Sequence, residues 1–580
     1  MSSFAKGAMA LMALNVWSRL LTFVLNQLSL RFITRTVLGI VGMEMELLLS
    51  TVLFLARECI RMALLRSEST LPPGTKSLSP SQYKAHQRLM NLAYLPIGFG
   101  LVIVGAISAY YTAVPGDPEK PYMNSAVGIF LASAFVELLS EPFYILGVNQ
   151  MDFGVRVRIE GAGVLVKCFV AIGMLKVASN ANNGSVVSEE SGVLAFGWSQ
   201  MGYATVLAVC YVAVFLRRYS GVTVVGEKGT VYPQGVALLF PRKLEGKDGT
   251  AAYWIDPVLS GLAWTFAKQG LFKHFLTEGD KILSVAFITT AIQGDYSVVE
   301  KYGSIIARLL FQPIEEMSRV FFSKTLPSST ASATPPSKEN ALKALTLLTL
   351  LLRLYVLLSL YFLAFGTNYT ALLIDLLASR QFSIGSAPAV FSAYCLYIPL
   401  MAINGVTEAF LQSVAPKDVL MRQSGWMAVC WAVFFASGWI GIQLCGLGGV
   451  GVVLANSVNM VMRVWFSWGY VGEYFAGFLK SGASGEKDVN EKEDKIFKDG
   501  VKRMLNPLEL LPKSLFLWAA FGLGWAVTYA SNEIFGWDTL KAKAQHIGVG
   551  VVMFLIASVV TYLTEKQLFV QIRQLYKSVK

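Results

Sequence analysis

The sequence predicts an all-α polytopic membrane protein of about fourteen transmembrane helices. Three observations lead there. Hydrophobic residues make up 54% of the 580 positions, charged residues only 15%, and the mean hydropathy is +0.53. Soluble domains carry roughly 25% charged residues, so one water-soluble core cannot hide this apolar excess. The apolar runs are about 20–30 residues long and do not alternate, which selects membrane helices over barrel strands. Finally, the basic residues collect in alternate loops, as the orientation of membrane helices requires.

The predicted spans are 8–33, 36–65, 90–113, 124–149, 155–176 and 194–216, then 259–292, 295–325, 340–366, 386–412, 416–442 and 448–478, and finally 512–535 and 546–565. The first is read as a retained span, since Lys6 precedes a run too long for a signal peptide. Lys6, the 66–89 group, Arg217, Arg218, the 480–503 cluster and the tail from Lys566 fall in even-numbered loops or at the termini. The odd loops hold fewer cations, among them Arg31, Arg35, Lys120, Arg380, Lys541 and Lys543. Positive charge stays cytosolic, so both termini are expected in the cytosol. Two sequons, at Asn183 and Asn368, fall in odd, lumenal loops and are candidate N-glycosylation sites.

Short matches six spans apart suggest an internal repeat. Arg57-Glu58-x-x-Arg61 in the second span parallels Glu315-Glu316-x-x-Arg319 in the eighth, and Glu141-Pro142-Phe143 parallels Glu408-Ala409-Phe410. An even offset preserves orientation, so the expectation is two six-helix lobes related by a pseudo-two-fold axis along the membrane normal, plus two C-terminal helices. The expected division is an N-lobe 1–216, a cytosolic linker 217–258, a C-lobe 259–478, a charged cytosolic loop 479–511, and residues 512–580 with the last two spans and tail. Residues 327–338, rich in Ser, Thr and Pro, read as a loop.

A charge inside the bilayer costs at least ~2.5–3.5 kcal/mol, so such residues face a bundle interior or a hydrated cavity. At 100° per residue, Glu46, Ser50, Arg57 and Arg61 share one face of the second span. Arg308, Gln312, Glu315 and Arg319 form a stripe on the eighth, and Gln269, Lys273 and Asp280 share a face of the seventh. The functional reading is a cationic cavity for an anionic substrate among spans 1, 2, 7 and 8, because arginine grips phosphate with a two-pronged fork. Its candidates are Arg31, Arg57, Arg61, Gln269, Lys273, Arg308 and Gln312. The structural reading pairs Arg57 with Glu58 or Glu46, and Arg319 with Glu315 or Glu316. Glu137, Glu141, Glu278, Asp280, Asn404 and Glu408 join those as structural or gating groups, the acids at 137, 141 and 408 suiting interhelical hydrogen bonds better than phosphate.

Several function classes lose support. The net charge of +12 is distributed as an orientation signal, which argues against nucleic acid as a partner. The cysteines lie in or beside apolar runs without close pairs, and the three histidines are scattered, so no metal or disulfide framework is expected. There is no Walker loop, nucleophile elbow or zincin motif, hence no cofactor and no ATP-driven or hydrolytic chemistry is expected.

The stretches Leu53-Phe54-Leu55-Ala56-Arg57-Glu58, Val136 to Phe143, Leu276-Thr277-Glu278-Gly279, Ala307 to Glu316, Tyr394 to Tyr397 and Ala402 to Glu408 resemble the Rft family of the endoplasmic reticulum. The resemblance implies the fold of the multidrug/oligosaccharidyl-lipid/polysaccharide exporter superfamily. It also implies a role in moving a dolichyl-diphosphate-linked pentamannosyl-chitobiose from the cytosolic to the lumenal leaflet for N-glycosylation. The implied partners are that glycolipid, the bilayer and other proteins of the glycosylation pathway. A cation-coupled drug exporter, a polytopic glycosyltransferase and a non-transporting glycosylation scaffold are the competing readings. The exporter would want uncompensated acid in its cavity, and the transferase would want larger lumenal loops.

Overall fold

A computed structural model describes residues 24, 25, 27–64, 76–114, 120–150, 152–184, 186–225, 232–244, 253–326, 338–481, 497–502 and 506–571. The side chains of Phe153, Gln269, Phe272, Lys273, Lys338 and 478–481 lie outside that description. Most of the predicted first span, the Ser/Thr/Pro-rich 327–337 and the charged 482–496 also fall outside it.

Among the described residues, nine helices are long and apolar enough to cross a membrane, or up to ten if one bent pair counts as a single span. These do not by themselves confirm the count of about fourteen. The seventh and eighth predicted spans are helical, but neither is among the nine, and the thirteenth, Leu515–Phe535, is not among them either. The polar residues that made the seventh and eighth interesting are what depress their apolarity.

By contacts the chain divides into two compact units, Met1–Ile282 and Leu283–Lys580, a boundary inside the predicted seventh span. In the first unit the helices are α1 (Arg35–Leu64), α2 (Pro80–Ala113), α3 (Met123–Leu138), α4 (Glu141–Asn149), α5 (Gly154–Ala181), α6 (Glu189–Tyr219) and α7 (Pro257–Thr277). The predicted span 259–292 is corrected to two helices, α7 and α8 (Gly279–Phe287), broken at Glu278. The predicted span 124–149 is likewise α3 and α4, bent by 41°. Pro142 opens α4 near its N-terminus, where its missing N–H does no harm; continued into one helix, its ring would collide with the carbonyl four residues back.

The N-terminal part of α2 is polar and carries a capping box, Ser79 with Gln82. It pins the described residues 232–244 and 253–256 instead of projecting freely. His86 Nε2 lies 3.1 Å from the Leu238 carbonyl, Gln87 donates to the Phe240 carbonyl at 2.8 Å, and Asn91 donates to those of Arg242 and Trp254 at 2.6 and 2.8 Å. Ser77–Leu78 pairs in parallel with Thr223–Val224. The hydrophilic loops read from sequence as linkers thus form, where described, a cap on an apolar cluster that includes Leu64, Met90, Phe143, Phe215 and Leu239.

In the second unit, α9 (Thr290–Ile306) runs through a π-helical turn, Ala307–Phe311, into α10 (Gln312–Thr325). Pro313 follows that turn and cannot donate to the preceding helix, a local reason for the widening. Then come α11 (Glu339–Leu377), α12 (Ala387–Val414), α13 (Lys417–Leu444), α14 (Gly449–Gly477), α15 (Leu515–Phe535) and α16 (Leu540–Thr564). Helix α12 packs on α9, α10, α11 and α14. At the α13–α14 hairpin a Cβ on Gly451 would lie 3.1 Å from the carbonyl carbon of Gly441, so the small residues allow the backbones to touch. Helices α15 and α16 dock on α11 through Tyr361, Phe521 and Phe554 and through an ion pair, Arg353 to Glu565 at 2.7 Å.

Candidate functional site

Arg57 and Arg61 stand one turn apart on α1, so both reach the same neighbour. That neighbour is the bend between α3 and α4. Arg57 Nη1 donates to Glu137 Oε1 at 2.7 Å and lies 3.7 Å from Glu141 Oε2. Arg61 forks onto both oxygens of Glu141, through Nε and through Nη2, the latter at 2.7 Å. Glu58 and Glu46, the partners offered by the sequence for Arg57, are not the ones used. Glu46 instead meets Lys281 Nζ at 3.1 Å, and Lys281 also holds Glu278 at 3.0 Å. The Glu141 side chain is 0% exposed and that of Glu137 6%. Removing one partner of such a pair strands a buried charge, at a cost of about 3–5 kcal/mol. Two arginines against two glutamates leave the quartet neutral, so its positive charge is already compensated.

The quartet adjoins a ring of side chains that sequence reading missed. The Arg61 guanidinium lies 4.0 Å from the centre of the Tyr144 ring, and the Arg156 guanidinium 5.2 Å from it, both within cation–π range. Arg156 Nε donates to Glu160 at 2.9 Å along α5, and both side chains are partly exposed. Exposed i,i+4 pairs stabilise by only about 0.3–0.5 kcal/mol, so this pair parts far more cheaply than Arg61 and Glu141. Tyr211 of α6 meets Tyr144 edge-on at 6.1 Å. The one available signal was that Arg156 and Glu160 are charges inside the predicted fifth span 155–176.

Helix α7 packs on α1. His274 Nε2 lies 3.0 Å from Thr51 Oγ1 and its ring stacks on Phe54 at 4.5 Å. Gln269 and Lys273 belong to this helix, and their side chains lie outside the described residues. Asp280 Oδ1 accepts from the Lys281 backbone at 2.9 Å. Arg31 is exposed in the turn before α1.

In the second unit four donors converge on one carboxylate. Asn404 and Arg463 donate to Glu408 Oε2 at 3.0 and 2.6 Å, while Gln412 and Gln423 donate to Oε1 at 3.0 and 3.3 Å. Helices α12, α13 and α14 are thereby tied at one point. Arg463, Gln412 and Gln423 were not singled out from sequence, although a buried acid demands a counter-charge. Arg319 pairs with Glu315 at 2.8 Å on its own helix, and Gln312 donates to Glu316 at 3.1 Å. Arg308 is exposed in the π-helical turn and has no ion-pair partner among the described residues. The repeat motifs therefore use their charges differently. Arg61 binds Glu141 across helices, whereas its sequence counterpart Arg319 stays local and Glu408 takes its cation from α14.

The two sequons also differ. Asn183 is exposed in the turn between α5 and α6, with φ of 53°. Asn368 lies within α11, and its amide donates to the Trp525 carbonyl at 2.9 Å and to Thr528 Oγ1 at 2.8 Å.

Comparison with known proteins adds four findings. The family model described as Rft protein matches residues 3–575. A Xenopus tropicalis protein named Man(5)GlcNAc(2)-PP-dolichol translocation protein RFT1 is 32% identical over 469 residues, covering 80% of this chain and 81% of the relative. The Yarrowia lipolytica protein of the same name is 30% identical over 595 residues, covering 99% and 81%. Among solved structures, "Lipid II flippase MurJ, inward closed conformation" is similar with a TM-score of 0.54 at 12% identity, covering 96% of this chain and 99% of that one. At that identity the likeness is one of fold.

Proposed function

We propose, from the premise that this chain belongs to the Rft protein family, that it translocates dolichyl-diphosphate-linked Man(5)GlcNAc(2) across the endoplasmic reticulum membrane. The direction is from the cytosolic to the lumenal leaflet, and both termini face the cytosol. The observation that carries this reading is the match to translocation proteins along almost the whole chain. Physical chemistry makes it sensible. The head group of such a lipid is a large polar glycan on a diphosphate, which cannot cross hydrocarbon unaided. Charged helices within an apolar protein offer it a polar route, while the polyprenyl tail stays in lipid. No covalent bond need form or break, and the sequence has no nucleotide-binding loop, so the protein acts as a transporter by alternating access and not as an enzyme.

A second reading, a non-transporting accessory of glycosylation, is favoured by one observation: Arg57 and Arg61, two of the phosphate-ligand candidates from sequence, are both engaged by buried carboxylates. Leaflet-resolved movement of labelled glycolipid in liposomes holding only this protein separates the two. Acceleration over empty liposomes supports the transporter; none, with or without ion gradients, overturns autonomous translocation and favours the accessory role.

A further inference from the structure

The basic residues of the first unit differ in what it takes to release them. An anion that captured Arg57 or Arg61 would strand Glu137 or Glu141 inside the protein. Arg156 is free of that constraint. Its side chain is 41% exposed and that of Glu160 is 35% exposed, so both rehydrate when they part. Meanwhile the Tyr144 ring, at 5.2 Å, keeps the guanidinium oriented.

A second observation points to the same place. Tyr211 is 2% exposed, yet its hydroxyl has no hydrogen-bond partner among the described residues. Its ring meets Tyr144 edge-on at 6.1 Å, the same ring that the Arg156 guanidinium approaches at 5.2 Å. A buried O–H without an acceptor is costly, and such groups in native proteins call for an explanation. Around one aromatic ring thus stand a guanidinium whose acceptor, Glu160, is cheaply exchanged and an O–H donor with no acceptor, and a phosphate oxygen supplies one to both.

We propose that Arg156 and Tyr211 form an anion subsite for one phosphate of a polyprenyl diphosphate, with Tyr144 holding Arg156 in position. The isoprenoid part rests on the glycolipid reading above; the anion chemistry rests on the residues themselves. Arg156 stands in the first turn of α5, beside the loop between the fourth and fifth predicted spans, which the charge pattern assigns to the cytosol. The subsite is therefore a loading site, distinct from the neutral quartet beside it, whose work is to hold α1 against the α3–α4 bend.

The test uses the full chain in nanodiscs, with farnesyl diphosphate, farnesol and phosphatidic acid as probes and the thermal midpoint as a parallel readout. Tyr211→Phe should weaken farnesyl diphosphate binding about tenfold without lowering the midpoint, since it deletes only an unsatisfied donor. Arg156→Gln should weaken binding by about tenfold or more, and Arg156→Lys should fall between. Farnesol should not compete. Binding by Tyr211→Phe and Arg156→Gln equal to the unmodified protein overturns the subsite and leaves the glycolipid reading standing. A lowered midpoint for Tyr211→Phe assigns the hydroxyl to structure and overturns it as well. Phosphatidic acid binding as tightly as farnesyl diphosphate overturns the polyprenyl assignment in favour of a membrane phospholipid. No binding of farnesyl diphosphate by the unmodified protein overturns the subsite together with the substrate class.

Discussion

Arg61 and Glu141 meet through a two-pronged fork, eighty residues apart in sequence, on a carboxylate with no solvent exposure. Glu141 is the first residue after the bend between α3 and α4, so this pair fixes the helix that follows the bend to α1. The geometry explains why the first unit keeps buried charges in an apolar protein: each is answered at short range.

Arg61→Gln should therefore destabilise the detergent-purified protein by about 3–5 kcal/mol, because two buried carboxylates are then left with Arg57 alone. The double variant Arg61→Leu with Glu141→Leu should recover much of that loss, since no charge remains to be stranded. Thermal or denaturant unfolding of the three proteins checks this. A single variant as stable as the unmodified chain would contradict the burial argument.

Glu408 organises three helices of the second unit through four donors. Glu408→Ala should cost about 3–5 kcal/mol by leaving Arg463 without its counter-ion. Arg463→Lys should cost less, as charge is kept. The order of thermal midpoints, unmodified, then lysine variant, then alanine variant, is the expected outcome.

Arg308 should behave in the opposite way. It is exposed and without an ion-pair partner among the described residues, so Arg308→Gln should change stability by no more than about 0.5 kcal/mol. If it contacts the anionic head group, the same variant should slow glycolipid movement in liposomes. Normal movement with normal stability would remove Arg308 from the substrate path.

Glycosylation can report topology. Asn183 is exposed in a turn, where a glycan can be attached, whereas the Asn368 amide is engaged inside a helix packing. Endoglycosidase should shift the mobility of the unmodified chain, Asn183→Gln should abolish that shift, and Asn368→Gln should leave it unchanged. A shift that survives Asn183→Gln would move the glycan to Asn368 and reverse the assignment of the sites, whereas no shift in the unmodified chain would count against the predicted orientation. Cysteine labelling at Lys228 and Glu189 gives an independent check, since the two should be accessible from opposite sides.

Much of this protein was legible before any coordinates. Long apolar runs with few charges determine membrane helices, because backbone groups in hydrocarbon must be satisfied within the segment. Motifs such as Ala307 to Glu316 determine the family, and the intramembrane arginines and glutamates announce that partners exist. Which partners they take was decided only by tertiary structure. Neighbours such as Arg57 and Glu58 project about 100° apart on a helix, so adjacency in sequence is no guide to pairing. Contact between α1 and the α3–α4 bend comes instead from how apolar faces pack, and no local pattern records it. The same holds for Arg463 and Glu408, and for Arg156, Tyr144 and Tyr211, which come from three helices. Sequence determined that charge would be buried here; packing determined which charges are compensated and which remain available to a ligand.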